Sequence, residues 1–528
     1  MQIRLRNSPT LQLAAIAVSS FAWLAATAWA RPLMLPDEGR YVGIAWEMMR
    51  SGDWLTPTLN GLPFFHKPPL FYWITAASMS VFGPHEWAAR AAPLLGAWLG
   101  AFALYLFARR WWDERSARLA LIVLLVQPLF YIGGQFANLD MLVAGCITAT
   151  VLLLADAALS VERDLPYRRA LIAAHAAAAL GVLAKGLIGA VIPALVMLVW
   201  LVSTRRWRAV RSLVSLPGLS LFAAIVMPWF VAMQARHADF LNYFVVVQHF
   251  KRFAAGGFNN VQPLWFYPAV LLLLSLPWLP ALRPLLRRGY FVDTARGPIR
   301  QLLWLWVGLV VLFFSIPQSK LIGYVLPAVA PLALLMADGV LALAERSRRA
   351  ARLPGWSAAV SAILSLGAVA ALSVHSPGST RDLARALGAR LSPHEPVLML
   401  GHYFYDLPLY ARLRAPVEVV DDWISPDVRR LDNWRKELAD AGDFAPGRAA
   451  ALLIDPAAFR AAVCASPVSW VIGPTASAVA HPFLYKAQAV FSQRDTTLWR
   501  IDTTLPGVAE TLQCAGGLPE AAHPVAAS

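Results

Sequence analysis

The feature that most constrains this chain is a series of apolar runs recurring from the N-terminus to about residue 375. Each is near the length, about 20 residues, that carries a helix across a bilayer. A water-soluble core has no room for so many. Soluble domains average about 45–50% apolar and about 25% charged residues, whereas this chain has 58% and 15%. The runs predict a polytopic α-helical membrane protein. The net charge of +15 does not call for nucleic acid, because no basic cluster accompanies an RNA- or DNA-binding motif.

The basic residues instead sort the loops. Arginine-rich loops occur at 109–118, 162–169, 204–211, 283–300 and 345–352. The positive-inside rule makes these five cytoplasmic. The loops between them, around 31–68, 131–140, 184–186, 235–262 and 315–320, then lie outside. About eleven spans satisfy the alternation, give or take two, and an odd number leaves the segment after 375 outside as well. Only six of the 46 basic residues are lysine. The four in the membrane half, Lys67, Lys185, Lys251 and Lys320, all fall on outer loops or outer span ends. An Arg-rich genome leaving four lysines by chance is the bland explanation. Selection for compact charges that hold a phosphate is the sharper one.

The first segment has a basic start (Arg4, Arg6), an apolar stretch Leu11–Ala30 and a small-x-small end, as a signal peptide does. Its apolar run exceeds the usual h-region of about 7–15 residues, which favours a retained first helix. Residues 1–375 form the expected membrane domain and 376–528 a small α/β domain facing the periplasm. In that domain the apolar runs Pro396–Leu400, Val417–Val420 and Ala451–Ile454 read as strands, Pro426–Ala439 as a helix, and Gly516–Ser528 as a frayed tail. Cys146 sits in an apolar run and is expected to be packing. Cys464 and Cys514 are placed to form one disulfide in an oxidising compartment.

The outer loops hold the chemistry-bearing residues. Asp37 follows Pro36 and can cap a helix whose apolar residues Tyr41, Ile44, Ala45 and Met48 share a face, with Ser51-Gly52 ending it along the membrane surface. Asp37 and Glu38 also suit a helix N-terminus with no catalysis at all. His66 and Lys67 precede a span opening with two prolines, and a lone interfacial lysine usually only snorkels. Asp140 opens another span, where an ionisable group near the membrane suggests function. Lys185, His249, Arg252, Lys320 and Tyr324 lie at further outer ends.

The order PDEGRY (36–41), SGDW (51–54), LNGLPFFHKPPLFYW (59–73), NLD (138–140), AKG (184–186), QHFKRF (248–253) and SKLIGYVLP (319–327) resembles bacterial aminoarabinose transferases and the related protein O-mannosyltransferase-like enzymes. These are GT-C glycosyltransferases that use a polyprenyl-phosphate sugar at the outer membrane face. The resemblance covers about residues 30–335. It implies that Asp37 and Asp140 are the functional acids, and that Arg40 and Tyr41 follow Asp37 as in the motif. It further implies that Lys67, Lys185, Arg252, Lys320 and Tyr324 serve the carrier phosphate and substrates. Relatives usually carry Glu where this chain has His66, and many carry Thr or Arg at Gly39. In relatives that Glu and the outer-loop His can bind a metal ion, so the resemblance implies that His66 and His249 could share zinc, although two ligands make a weak site. A metal is therefore optional, and no other cofactor is required.

The expected activity is transfer of a sugar, 4-amino-4-deoxy-L-arabinose or a related pentose or hexose, from undecaprenyl phosphate. The expected acceptor is lipid A or another envelope glycolipid at the periplasmic face of the inner membrane. The alternatives are a mannosyltransferase acting on protein Ser/Thr hydroxyls, a lipid-sugar flippase, or a membrane anchor for the C-terminal domain. A flippase needs polar residues through both halves of the bilayer, whereas the ionisable residues here gather near one face.

Overall fold

The computed structural model describes residues 9–251, 260–291, 296–346, 348–375 and 378–514, without the side chains of 249–251 and 288. The expected tail Gly516–Ser528 lies outside the described residues.

The helix Leu139–Glu162 is apolar on every side and is buried along almost its whole length, as an all-round hydrophobic helix must be. It crosses the helix Ala91–Trp111 at Gly96, Gly100 and Gly145. A Cβ on Gly145 would stand 2.6 Å from the Gly96 carbonyl carbon, and one on Gly96 would stand 2.7 Å from the Met141 oxygen. Any larger residue forces the helices apart. Such small-residue crossings let van der Waals packing hold helices together where lipid supplies no hydrophobic drive.

Among the described residues six helices are long and apolar enough to cross a membrane: Ala91–Trp111, Leu139–Glu162, Leu216–Arg236, Gly297–Ser315, Ile322–Ala344 and Ala350–Val374. Two further pairs, Glu114–Val126 with Pro128–Gly134 and Phe266–Leu274 with Leu276–Leu285, are bent by 67° and 90°. Pro128 has no N–H to continue its helix, and the Gln127 side chain accepts from the Phe130 N–H at 2.9 Å to start the next one. Shorter apolar helices span Pro9–Ala25, Leu70–Phe82 and Ile188–Ser203. The chain is a multi-pass membrane protein. Its first helix is packed into the bundle, since Trp98 donates to the Ala17 carbonyl at 2.9 Å and Trp23 to that of Leu125 at 3.0 Å.

The loops sort as their charges do. Arg296 of one Arg-rich loop pairs with Asp113 of another at 3.2 Å, and Arg206 pairs with Glu162. The lysine-bearing loops meet one another instead. Asp53 pairs with Arg236 at 2.9 Å, and Trp229 donates to the Leu55 carbonyl at 3.0 Å.

A second compact unit comprises Thr58–Phe64 and Gly378–Ser528. Residues 58–64 lie inside the first outer loop and supply the hairpin β1 (Thr58–Leu59) and β2 (Leu62–Pro63). Asn60 fastens it by exchanging hydrogen bonds with the Val417 backbone at 2.9 and 2.8 Å. The main sheet is built from β3 (Val397–Leu400), β4 (Glu418–Val420), β5 (Leu453–Ile454), β6 (Val468–Pro474), β7 (Gln488–Gln493) and β8 (Thr496–Asp502). Its order is β5-β4-β3-β6-β8-β7. The first four strands are parallel, and β8 and β7 run antiparallel to their neighbours. The expected helix Pro426–Ala439 is two helices, Asp427–Arg430 and Trp434–Gly442. Asn433 interrupts it because its side chain accepts from the Arg435 and Lys436 N–H groups and caps the second piece. Cys464 and Cys514 form a disulfide, and Cys146 is buried and free.

Candidate functional site

The helix Asp37–Ser51 is amphipathic, and Gly52 ends it in the left-handed conformation. Asp37 does not cap it. Pro36 holds the N-cap position, no side chain caps there, and Asp37 is the first helical residue. Its carboxylate instead pairs with Arg40 one turn on. The Arg40 guanidinium lies 4.8 Å from the centre of the Tyr41 ring. Asp37 keeps 28% of its side chain exposed, so the acid borders open space. Nor does the helix merely rest on a surface, since Ile44, Ala45 and Met48 are buried in protein.

Glu38, next to it, is fully buried between Arg31 and Arg90, themselves 1% and 0% exposed. Oε1 accepts from Arg90 Nε at 2.9 Å and from the Ala137 N–H at 2.8 Å; Oε2 accepts from the Met34 N–H at 2.9 Å and also pairs with Arg31. Arg90 donates onward to the carbonyls of Ala28, Arg31 and Pro32, and Arg31 to that of Gln135 at 2.7 Å. Burial alone would raise the Glu38 carboxyl, but the two guanidiniums outweigh it and hold the group at about 2. This hub fixes the segment before Asp37 against the segment before Asp140. Sequence reasoning passed over it. The available signal was its place on the buried face with Val42 and Ala45, where a charge requires partners.

Asn138 caps the helix of Asp140 by accepting from the Asp140 N–H at 3.0 Å. Asp140 pairs with Lys185, which ends the helix Arg168–Lys185. The Lys185 ammonium sits 4.4 Å from the centre of the Tyr324 ring, and Tyr41 lies within its electrostatic reach. Gly323 makes room for the acid, since a Cβ there would fall 2.9 Å from the Asp140 carboxyl carbon. Fully buried Tyr267, another residue the sequence did not single out, donates to the Leu321 carbonyl at 3.1 Å beside this cluster. Four distant segments thus converge on Asp140, Lys185, Tyr324 and Tyr41.

Lys320 is only 3% exposed, and its ammonium donates to the carbonyls of Gln262 at 2.7 Å and Gln318 at 3.4 Å. It clasps the end of the long outer loop to the start of the next span. Lys67 is half-buried between His66 and Pro68. His66 Nε2 lies 2.8 Å from the Tyr243 hydroxyl, which also accepts from Gln248 at 2.9 Å. Arg252 and the His249 side chain lie outside the described residues. The Tyr243 hydroxyl meets Nε2 of His66, and no group of three His, Cys, Asp or Glu converges among the described residues.

Residues 66–231 match the family described as dolichyl-phosphate-mannose-protein mannosyltransferase. Two proteins named undecaprenyl phosphate-alpha-4-amino-4-deoxy-L-arabinose arabinosyl transferase are each 34% identical to 65% of this chain. One is from Aeromonas hydrophila, over 348 residues, and the other from Pseudomonas aeruginosa UCBPP-PA14, over 357. Over that stretch the chain is similar to the aminoarabinosyl transferases. It spans 62% of the length of each of these relatives. The fold agrees across nearly the whole length. The crystal structure of ArnT from Cupriavidus metallidurans bound to undecaprenyl phosphate superposes with a TM-score of 0.76 at 23% identity, covering 95% of this chain and 99% of that one. The archaeal oligosaccharyltransferase AglB from Archaeoglobus fulgidus superposes at 0.55 and 13% identity, covering 90% and 70%.

Proposed function

We propose that this chain transfers a sugar from an undecaprenyl-phosphate carrier to lipid A or another envelope glycolipid, at the periplasmic face of the inner membrane. The observation that carries the reading is the half-buried lysine Lys185, held between Asp140 and Tyr324 in reach of Tyr41. It is a preorganised cation with an acid beside it, on the side where the lysine-bearing loops gather. The names of the aminoarabinosyl transferases, and the undecaprenyl phosphate bound by the Cupriavidus protein, supply the donor class.

In the reaction the bond from the anomeric carbon to the carrier phosphate breaks, and an acceptor oxygen bonds to that carbon from the opposite side. Charge grows on the departing phosphate. Lysine and arginine groups fixed in a site shielded from water stabilise that charge more than water would. Lys185 is so fixed, and Lys67, Arg252 and Lys320 are proposed to complete the phosphate site, with Lys320 leaving its carbonyl clasp to do so. Asp37 takes the proton of a hydroxyl acceptor, or orients a phosphate acceptor that is already ionised.

Purified protein given undecaprenyl-phosphate aminoarabinose and lipid A should yield lipid A heavier by one aminoarabinose in the mass spectrum. No transfer with any undecaprenyl-phosphate sugar, or full transfer by Asp37→Asn, would sink the proposal. The second reading, transfer to protein Ser/Thr hydroxyls, draws on the mannosyltransferase match over 66–231. It predicts glycopeptides and unmodified lipid A in the same experiment.

A further inference from the structure

In the second unit the parallel strands lie in the order β5-β4-β3-β6. The chain moves from β3 to β4 and β5 on one side, then returns to place β6 on the other. In open α/β sheets, ligands bind outside the carboxyl ends of the strands where the order reverses in this way. The carboxyl ends here carry a coherent set of side chains. His402 follows β3, Asp421, Asp422 and Trp423 follow β4, and Trp434 opens the next helix. The rings of His402 and Trp434 are 5.6 Å apart, and those of Trp423 and Trp434 are 5.9 Å apart. All three rings are half-buried in the whole chain, and Asp422 is exposed.

Asp421 accepts from the Asp422 N–H at 2.7 Å and pairs with Arg435 at 3.0 Å, both through Oδ1, which leaves Oδ2 for a ligand. Two buried polar atoms at this end have no partner: Arg435 Nε and Oδ1 of Asp455, the residue after β5. The Asp421 N–H donates to the Ile454 carbonyl at 3.2 Å, which sets Asp455 beside Asp421. Buried polar atoms left without partners call for an explanation, and a ligand is one.

The chemistry narrows the ligand. Where a nucleotide site keeps a glycine-rich turn for pyrophosphate, this chain has a single glycine, Gly401, followed by His402, Tyr403 and Phe404, and the carboxylates of Asp421 and Asp495 lie near His402. Burial holds the His402 imidazole below its ordinary value despite Asp495 and Asp421, so at neutral pH it is an uncharged donor and acceptor. A carboxylate at the end of the second strand suits adjacent hydroxyls, and aromatic faces attract the positively polarised C–H edge of a sugar ring.

We propose that this carboxyl-end crevice binds one hydroxyl-rich sugar ring, with Asp421 accepting its hydroxyls and Trp434 and Trp423 packing on its C–H face. That the ring is the headgroup sugar of the acceptor glycolipid rests on the glycosyl-transfer reading above. The carboxylates there favour an amino sugar.

The test is binding of a β-1,6-linked glucosamine disaccharide and of maltose to the full-length protein in detergent, followed by saturation-transfer NMR without any polyprenyl donor. Trp434→Ala and Asp421→Asn should each weaken the glucosamine disaccharide about tenfold or more. If Trp434→Ala lowers the melting temperature, Asp421→Asn decides, because it preserves shape. Preference for the glucosamine disaccharide supports the glycolipid headgroup. Equal binding of both sugars, lost in both variants, supports a soluble glycan in the same crevice. Binding of neither sugar, or binding that both variants retain, overturns the proposal. A wild-type protein that binds but transfers nothing overturns the enzyme reading and leaves this site standing.

Discussion

Replacing Glu38 with glutamine keeps the volume and removes one charge from the most buried ionic hub of the membrane unit. Arg31 and Arg90 would then be two neighbouring cations, 1% and 0% exposed, that have lost the carboxylate between them. The new amide N–H groups would also point at the donors of one guanidinium or of the Met34 and Ala137 backbone. Removing one partner of a buried ion pair costs about 3–5 kcal/mol, chiefly through the uncompensated charge left behind. For a domain of about 150–250 residues each kcal/mol is worth about 2–4 °C. A larger unit shifts less per kcal/mol, so the expected fall is about 5 °C or more, read by tryptophan fluorescence of the purified protein in detergent. Because the hub anchors the segments that carry Asp37 and Asp140, transfer activity should fall with it. Adding Arg90→Leu should cost less than the sum of the single changes, since the charge it removes is already unpaired. A Glu38→Gln protein that melts within about 1 °C of wild type, with unaltered transfer, would refute the reasoning. The pH dependence has a definite sign. The Glu38 carboxyl is depressed to about 2 from 4.5, so its contribution is complete above pH 4.5 and fades as pH falls toward 2.

Lys185→Met should lower the rate of transfer about 100-fold or more, the scale of losing one preorganised charge-stabilising group, and a rate near wild type would remove Lys185 from the site. Cys514→Ser opens a disulfide whose ends are 50 residues apart; it should destabilise the second unit by about 2–4 kcal/mol, seen as earlier unfolding in urea, with no further effect of reductant. Asp406 is buried beneath Thr380 and Ser379. Burial raises its carboxyl to about 6 against the hydrogen bonds that lower it. Because the folded state holds that proton more tightly, the second unit should lose stability as pH rises from about 4 to about 6. Asp406→Asn should flatten that slope in hydrogen exchange of the peptide 378–390, and an unchanged slope would assign it to another group.

The apolar spans of the membrane half followed from length and apolarity, because a bilayer admits few solutions to backbone hydrogen bonding, whereas the two sharp bends and the three shorter helices did not. In the second unit β3, β4 and β5 fall in the short apolar runs, while β6, β7 and β8 lie outside the runs that the sequence singled out. The helix expected over 426–439 broke because Asn433 offers its side chain to the backbone of the next turn, a local competition that propensity does not rank.

At the site, the sequence by itself determined which acids and bases stand near span boundaries, since Asp37, Asp140, Lys185 and Tyr324 lie in motifs there. Only the tertiary structure decided their partners. Asp37 pairs with Arg40, whereas Glu38, one residue later and 100° around the helix, turns inward to Arg31 and Arg90. Asp140 and Lys185, 45 residues apart, meet because their two helices pack together, with Gly181 close against Cys146, and Gly323 clears space for the carboxylate. The physical reason is that periodicity tells which face of a helix is buried, but the identity of the group opposite depends on how helices cross. That crossing is set by contacts between residues far apart in sequence.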